Sequence, residues 1–435
     1  MSNKIDRFWA FTILFLNGWN WALPVTSVAM PTWFTPVQIV HGIFTHELLF
    51  LIYLVFIVIR LRGYLPIRKH APGNNIAFFI IGLGFLGCIS NGLNFQPFKE
   101  MGEAGRLFLL AVFFLISINW AKRHGSTFIL RSLLLGIACA GVVNLYYSFA
   151  ICFNTVGGLP FLLGQKGPGG SLGFSVILSA WFLLERNGTF SVAIAIVLAV
   201  IGIFGASISY SKLAMLMAGF GMIAWGVVLC WSLVKRRSHR AIIMMLVVLF
   251  AFAYVNHGKI DLYFKGVNAA INNKFVHLSE GSIMSRSLYF FSTAEIISRH
   301  PLFGVGYAGF YDAVTKTVSV ENRWSCLEDP ISGNDGKSNP HNAFLYYASA
   351  NGIPGLFLTV VLFFFVLREF WRCFSGRGVQ GKVIWGCLAG AYFVYGMTVP
   401  SLFNTAILYI PAAVAIAFTS QNCSNSESIQ SNKAN

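Results

Sequence analysis

The sequence predicts an all-α polytopic membrane protein with about twelve transmembrane helices and one large extracytoplasmic loop. Composition is the first reason. The 435 residues are 56% hydrophobic and only 11% charged, with a mean hydropathy of +0.68, whereas a soluble protein of this size carries about 25% charged residues. Spacing is the second. Uncharged stretches of roughly 18 to 22 residues recur along the chain, and that length crosses a bilayer. The third reason is the side on which the basic residues fall.

In chain order, the expected spans are 8–30, 43–61, 76–93, 105–121, 129–153, 171–185, 190–209, 212–234, 241–256, 353–370, 383–399 and 405–419. The first, from Phe8 to Met30, is long enough to span, and no small-residue cleavage site follows it, so it reads as an anchor rather than a cleavable signal. Only Tyr210-Ser211 separates the seventh span from the eighth. With the N-terminus in the cytoplasm, nineteen Lys and Arg residues fall on the inner side, and the short outer loops hold four: Lys99, Arg106, Lys166 and Lys212. That asymmetry predicts cytoplasmic termini and an outer location for the long loop, in a bacterial inner membrane. The net charge of +16 therefore reflects orientation and attraction to anionic membrane lipids, not nucleic acid.

Four regions follow. Residues 1–256 hold spans one to nine, and residues 257–340 form the large loop, read as periplasmic. Residues 341–420 hold an interfacial helix and the last three spans, and 421–435 form a polar cytoplasmic tail expected to be disordered. In the loop, Ser282 or Ser285 can cap a helix, with Leu288, Phe291, Glu295 and Ile296 at helical spacing and Pro301 as its stop. The string Gly304-Val305-Gly306-Tyr307-Ala308-Gly309 spells GxGxxG. It follows a helix-breaking Pro rather than a strand, so it reads as a turn and not a dinucleotide site. The eight Cys are scattered without a CxxC pair, and neither a zinc site nor a disulfide within the loop is expected. No Walker A loop, GxSxG elbow, HExxH or Asp-x-Asp metal motif occurs. No metal or cofactor is expected.

The most informative stretch is Ser338-Asn339-Pro340-His341-Asn342-Ala343-Phe344-Leu345, leading to Asn351-Gly352-Ile353-Pro354-Gly355. Asn339 can cap a helix and Pro340 suits its first position. Asn351-Gly352 can end it, and Pro354 can open the next. On this reading His341 sits in the first turn, where the helix dipole favours a neutral imidazole able to accept a proton. The bland alternative is a satisfied interfacial histidine. Lys212, Arg286, Lys166 and Arg106 are outer-side cations suited to a diphosphate, or to snorkelling toward lipid headgroups. Lys166 lies in Gly164-Gln165-Lys166-Gly167-Pro168-Gly169-Gly170, read as a flexible loop.

The Pro340–Leu345 and Asn351–Gly355 segments resemble the hallmark of the O-antigen ligase and polymerase superfamily. The preceding Gly281–Arg286, Ala294–Ile297 and Pro301–Gly306 segments resemble the same family's loop pattern. The resemblance implies a metal-independent glycosyltransferase of the C type, whose donor is a glycan on undecaprenyl diphosphate and whose acceptor is lipid A–core or another glycan. It implies that His341 deprotonates the acceptor hydroxyl, that Arg286 binds the diphosphate and that Asn342 supports the site. Ser211-Lys212 stands where the family usually has Ser-Arg, which keeps the charge but loses the bidentate fork. A twelve-span transporter or flippase of lipid-linked oligosaccharide is the competing class. It fits less well, because the halves of the chain differ and the charges gather at the surfaces rather than at mid-membrane.

Overall fold

The computed structural model describes residues 3–22, 38–40, 43–44, 49–55, 73–95, 102–155, 166–185, 189–208, 212–236, 290, 292–307, 309–310, 312–313, 342–398 and 409–419. They are helical apart from turns and one short antiparallel ladder, β1 (Gln38–Val40) with β2 (Ile43–Phe44). The helices are α1 (Asn3–Ala22), α2 (49–55), α3 (Asn74–Leu93), α4 (Gly102–His124), α5 (Ser126–Thr155) and α6 (Lys166–Glu185). They continue as α7 (Thr189–Ile208), α8 (Lys212–Arg236), α9 (292–299), α10 (Ala343–Phe374), α11 (Gly378–Gly396) and α12 (Tyr409–Thr419).

Among the described residues, five helices are long and apolar enough to cross a membrane: Asn74–Leu93, Ala104–His124, Ser126–Val143, Leu213–Trp231 and Ala343–Phe374. Leu172–Glu185, Ile194–Ala206 and Tyr409–Thr419 are shorter apolar helices. The protein is membrane-integral, although the expected twelve spans are not reached among the described residues. The expected span 241–256 lies outside them. The first helix begins at Asn3, ahead of the apolar stretch, and Ile43 starts a strand rather than the second span.

A second difference concerns Lys166. The glycine-rich stretch from Lys166 to Gly170 is the first part of α6 and not a loop. Proline is tolerated in a first turn, where its missing N–H has no intrahelical partner. Further along the helix, Gly173 lies directly against Ala214 and Met217 of α8, where close packing offsets the low helix propensity of glycine.

The helices form one packed bundle in which directions can be read from contacts. α6 and α8 run parallel, since Gly173 meets Ala214 and Trp225 Nε1 donates to Ser179 Oγ at 2.8 Å. α3 and α10 run antiparallel, with Phe79 stacked on Phe365 at 5.3 Å and Ser90 bonded to Ala350. α3 and α4 are also antiparallel, because Gly84 meets Phe108 and Gly73 meets Ile118. Trp120, Trp181, Phe114, Phe174, Phe370 and Phe374 are fully buried between them. In lipid such packing, rather than hydrophobic transfer, holds helices together.

At the end of the bundle where α1 starts and α4, α6 and α10 finish, carboxylates are buried against cations. Asp6 accepts from Tyr53 Oη at 2.6 Å and Arg123 Nη1 at 3.0 Å, and pairs with His124 Nε2 at 2.9 Å. Burial pushes the Asp6 carboxyl up, but the hydrogen bonds from Tyr53, His124 and Arg123 outweigh it and hold the group below the usual carboxylate range. Glu369 is 2% exposed and binds Arg368 at 2.8 Å and Arg372 at 3.3 Å. Glu185 pairs with Arg377, whose guanidinium also lies over Phe418 at 5.0 Å.

Candidate active site

Helix α10 is capped by Asn342. The residue is extended (φ −155°, ψ 121°), and its Oδ1 accepts from Phe344 N at 2.9 Å and Leu345 N at 3.1 Å. Its Nδ2 donates to Met397 Sδ at 3.4 Å, tying the cap to the end of α11. The sequence alone points to a cap at Asn339, which lies outside the described residues, with His341 in the first turn. Both asparagines are competent caps, and the tertiary tie to Met397 accompanies the one used. The first helical residue is Ala343, so the dipole argument for a neutral His341 is lost in its original form. His341, Arg286 and Ser211 lie outside the described residues.

As expected, α10 breaks at Gly352 (φ 69°, ψ −161°) and resumes through Pro354. The α9 helix also ends before Pro301 as expected, and Gly304 and Gly306 form a turn with φ of 62° and 78°. What the sequence did not disclose is that the turn and the break bind each other. Val305 N donates to Ser349 O at 2.9 Å, Gly306 N to Ala350 O at 3.0 Å, and Ile353 N to Pro301 O at 2.8 Å. The carbonyls of Ser349 and Ala350, and the N–H of Ile353, would otherwise be orphaned by the break. A Cβ on Gly304 would run into Ser349 O, and one on Gly352 into Pro301 O. Both glycines are required twice over, for the positive φ and for the close approach.

The end of α3 closes the knot. Ser90 Oγ lies 2.5 Å from Phe303 O and 2.6 Å from Ala350 O. Asn94 Nδ2 donates to Gly304 O at 3.3 Å, and Asn91 Oδ1 accepts from Tyr307 N at 2.9 Å. Tyr307 fills the centre. Its ring rests against Gly87 and stacks on Tyr346 with centroids 5.8 Å apart. Its hydroxyl donates to Leu83 O at 3.3 Å and accepts from Asn351 Nδ2 at 3.4 Å. Ser90, Asn91, Asn94 and Tyr307 were not singled out by sequence reasoning. The available signal is Ser90, Asn91 and Asn94, polar residues closing an otherwise apolar span, where a polar side chain needs a partner.

Three of the four expected cations stand at helix starts that share this end of the bundle. Lys212 is the first residue of α8, as the sequence predicted, and Lys166 the first of α6. Arg106 lies in the opening turns of α4, also as predicted. α6 and α8 start together because they are parallel, and α4 starts beside the end of α3 because those two are antiparallel. Helix N-termini carry partial positive charge, so the arrangement favours an anion at this surface. Among the described residues, no cluster of His, Cys, Asp and Glu suited to a metal occurs.

Residues 194–360 match the family model described as O-antigen ligase. The match takes in most of α7, all of α8 and α9, the glycine turn and the break in α10, and it leaves out the α3 residues that complete the knot. No curated protein matches the chain.

Proposed function

The O-antigen ligase domain at residues 194–360 supports placing the chain in the O-antigen ligase superfamily, and from that premise we propose that it transfers a glycan from undecaprenyl diphosphate to a sugar hydroxyl of lipid A–core. The reaction is set at the periplasmic face of the inner membrane, with both termini in the cytoplasm. The supporting observation is the knot. It ties the loop to the break in α10 and so fixes the helix that begins directly after His341-Asn342.

In this reading the acceptor hydroxyl attacks the anomeric carbon while His341 takes its proton. The bond from that carbon to the diphosphate oxygen breaks, and undecaprenyl diphosphate leaves with the electron pair. The donor is already activated, so the protein must stabilise charge growing on the leaving group and assist one proton transfer. Arg286 and Lys212 take the first task, aided by Lys166 and Arg106 and by the helix starts on which those lysines and Arg106 stand. Asn342 supports the site by capping α10. Direct displacement inverts the anomeric centre, and no metal takes part in the proposed step.

His341→Ala is expected to abolish transfer while the protein accumulates and inserts normally, read by lipopolysaccharide gels beside membrane immunoblots. Near-normal transfer at normal protein level rejects His341 as the base. Arg286→Ala is expected to weaken donor binding, and unchanged affinity for the lipid-linked donor counts against its role. Deletion of the protein separates the related activities. Uncapped core with glycan left on the flipped carrier marks a ligase, and core bearing one repeat unit marks a repeat-unit polymerase. Glycan retained on the cytoplasmic face marks a flippase.

A further inference from the structure

Among the described residues, large apolar side chains stand exposed around the knot. Leu302 is 64% exposed and Phe95 96% exposed, and Leu93, Phe303, Ile353 and Phe357 are exposed as well. Their backbones sit next to the knot's hydrogen bonds. Pro301 O holds Ile353 N, Phe303 O holds Ser90 Oγ, and Asn94, adjoining Phe95, reaches Gly304 O. The turn's inward positions are taken by the buried Val305 and Tyr307. Leu302 and Phe303 point away from the core while the hydrogen-bonded backbone fixes the turn. Phe95 also has φ 50°, a left-handed conformation that costs a side chain roughly 1 kcal/mol.

A turn facing water would not place Leu and Phe at these positions, and a contiguous apolar patch needs an occupant. The patch continues into the exposed stripes of two candidate spans. On α3 the stripe is Phe78, Phe85, Ile89 and Leu93, and on α10 it is Ile353, Phe357, Val360 and Phe364. Both follow helical spacing, and the two helices lie side by side. The polar side of the loop segment is separate, with Glu295 and Arg299 forming an exposed ion pair on α9.

We propose that the turn at Leu302 and Phe303, together with Phe95 and Ile353, is immersed in the acyl chains of the bilayer and anchors the end of the large loop to the membrane. The occupant is lipid because the patch is continuous with faces that the same two helices present to lipid. The inference does not depend on the glycosyltransferase reading.

The test uses the full chain with Leu302→Cys, Phe303→Cys or Arg299→Cys, each carrying an environment-sensitive fluorophore. The proteins are reconstituted into phosphatidylethanolamine–phosphatidylglycerol vesicles, and the signal of the equally treated parental chain is subtracted. Probes at 302 and 303 are expected to show a blue-shifted emission, strong quenching by nitroxide on lipid acyl chains and loss of quenching by aqueous iodide. The probe at 299 is expected to show the reverse. If Leu302→Cys fails to accumulate, Phe303→Cys decides alone. Iodide quenching at these positions equal to that at 299 overturns the proposal.

Discussion

The end of the bundle at the helix break and the opposite end are tied by different chemistry. At the break, backbone carbonyls and N–H groups meet serine, asparagine and tyrosine across Gly304 and Gly352. At the opposite end, Asp6, Glu185 and Glu369 are buried against Arg123, His124, Arg377, Arg368 and Arg372. A surface proposed to hold a diphosphate does best with structural ties that consume no cation. The described ties of the knot itself are neutral and meet that need. The two ends should therefore respond differently to substitution, salt and pH.

The largest effect is expected from Gly352→Ala. The added Cβ meets Pro301 O and the residue must hold φ 69°, so strain and clash combine to roughly 3 kcal/mol. Thermal unfolding in detergent should show a clear fall in midpoint that added salt does not change. A midpoint within a degree or two of the parent's would mean that the turn and the break are not rigidly joined.

How legible this comparison was in the sequence follows from its parts. The break could be placed at Gly352 because glycine and proline act on the backbone alone. The stop at Pro301 and the glycine turn were readable for the same reason. The cap lies three residues beyond the one the sequence suggests, since Asn339 and Asn342 are chemically equal and the contact with Met397 lies 55 residues away. Lys166 reads as a loop residue because glycine propensity is local, while the contact of Gly173 with α8 further along the helix is not. The knot itself joins residues more than 200 positions apart, and no local pattern names such a partner. The charges of the opposite end were visible, but they served only to orient the chain. Their pairing into buried ties was not visible. His341 and Arg286 rest on resemblance to the family, and on nothing that spacing alone could supply.

A middle-sized effect is expected from Arg377→Ala. It leaves Glu185, whose side chain is 12% exposed, with the N–H of Trp181 at 3.1 Å. Removing one partner of a buried pair costs more than the pair is worth, because a charge stays behind. Since Arg377 is itself partly exposed, the expected loss is about 2 kcal/mol. Adding Glu185→Gln should restore part of it. A double variant no more stable than Arg377→Ala would show that the arginine acts through its packing on Phe374 and Phe418 rather than through its charge.

The smallest effect separates the two ends by pH. The Asp6 carboxyl is held below its ordinary range in the folded protein by Tyr53, His124 and Arg123, against the upward push of burial. The unfolded chain therefore binds this proton more readily, and folding gains stability at pH values above the unfolded pKa. That gain is lost as the pH falls through the lower, folded value, so it is fully present at neutrality and disappears in the acid range. Asp6→Asn should lower the unfolding midpoint at pH 7 and have progressively less effect as the pH falls through the acid range. Ser90→Ala, which removes a neutral tie from the knot, should lower it by the same amount throughout. Parallel pH profiles for the two variants would mean that the charged and neutral ends do not differ in the way the contacts indicate.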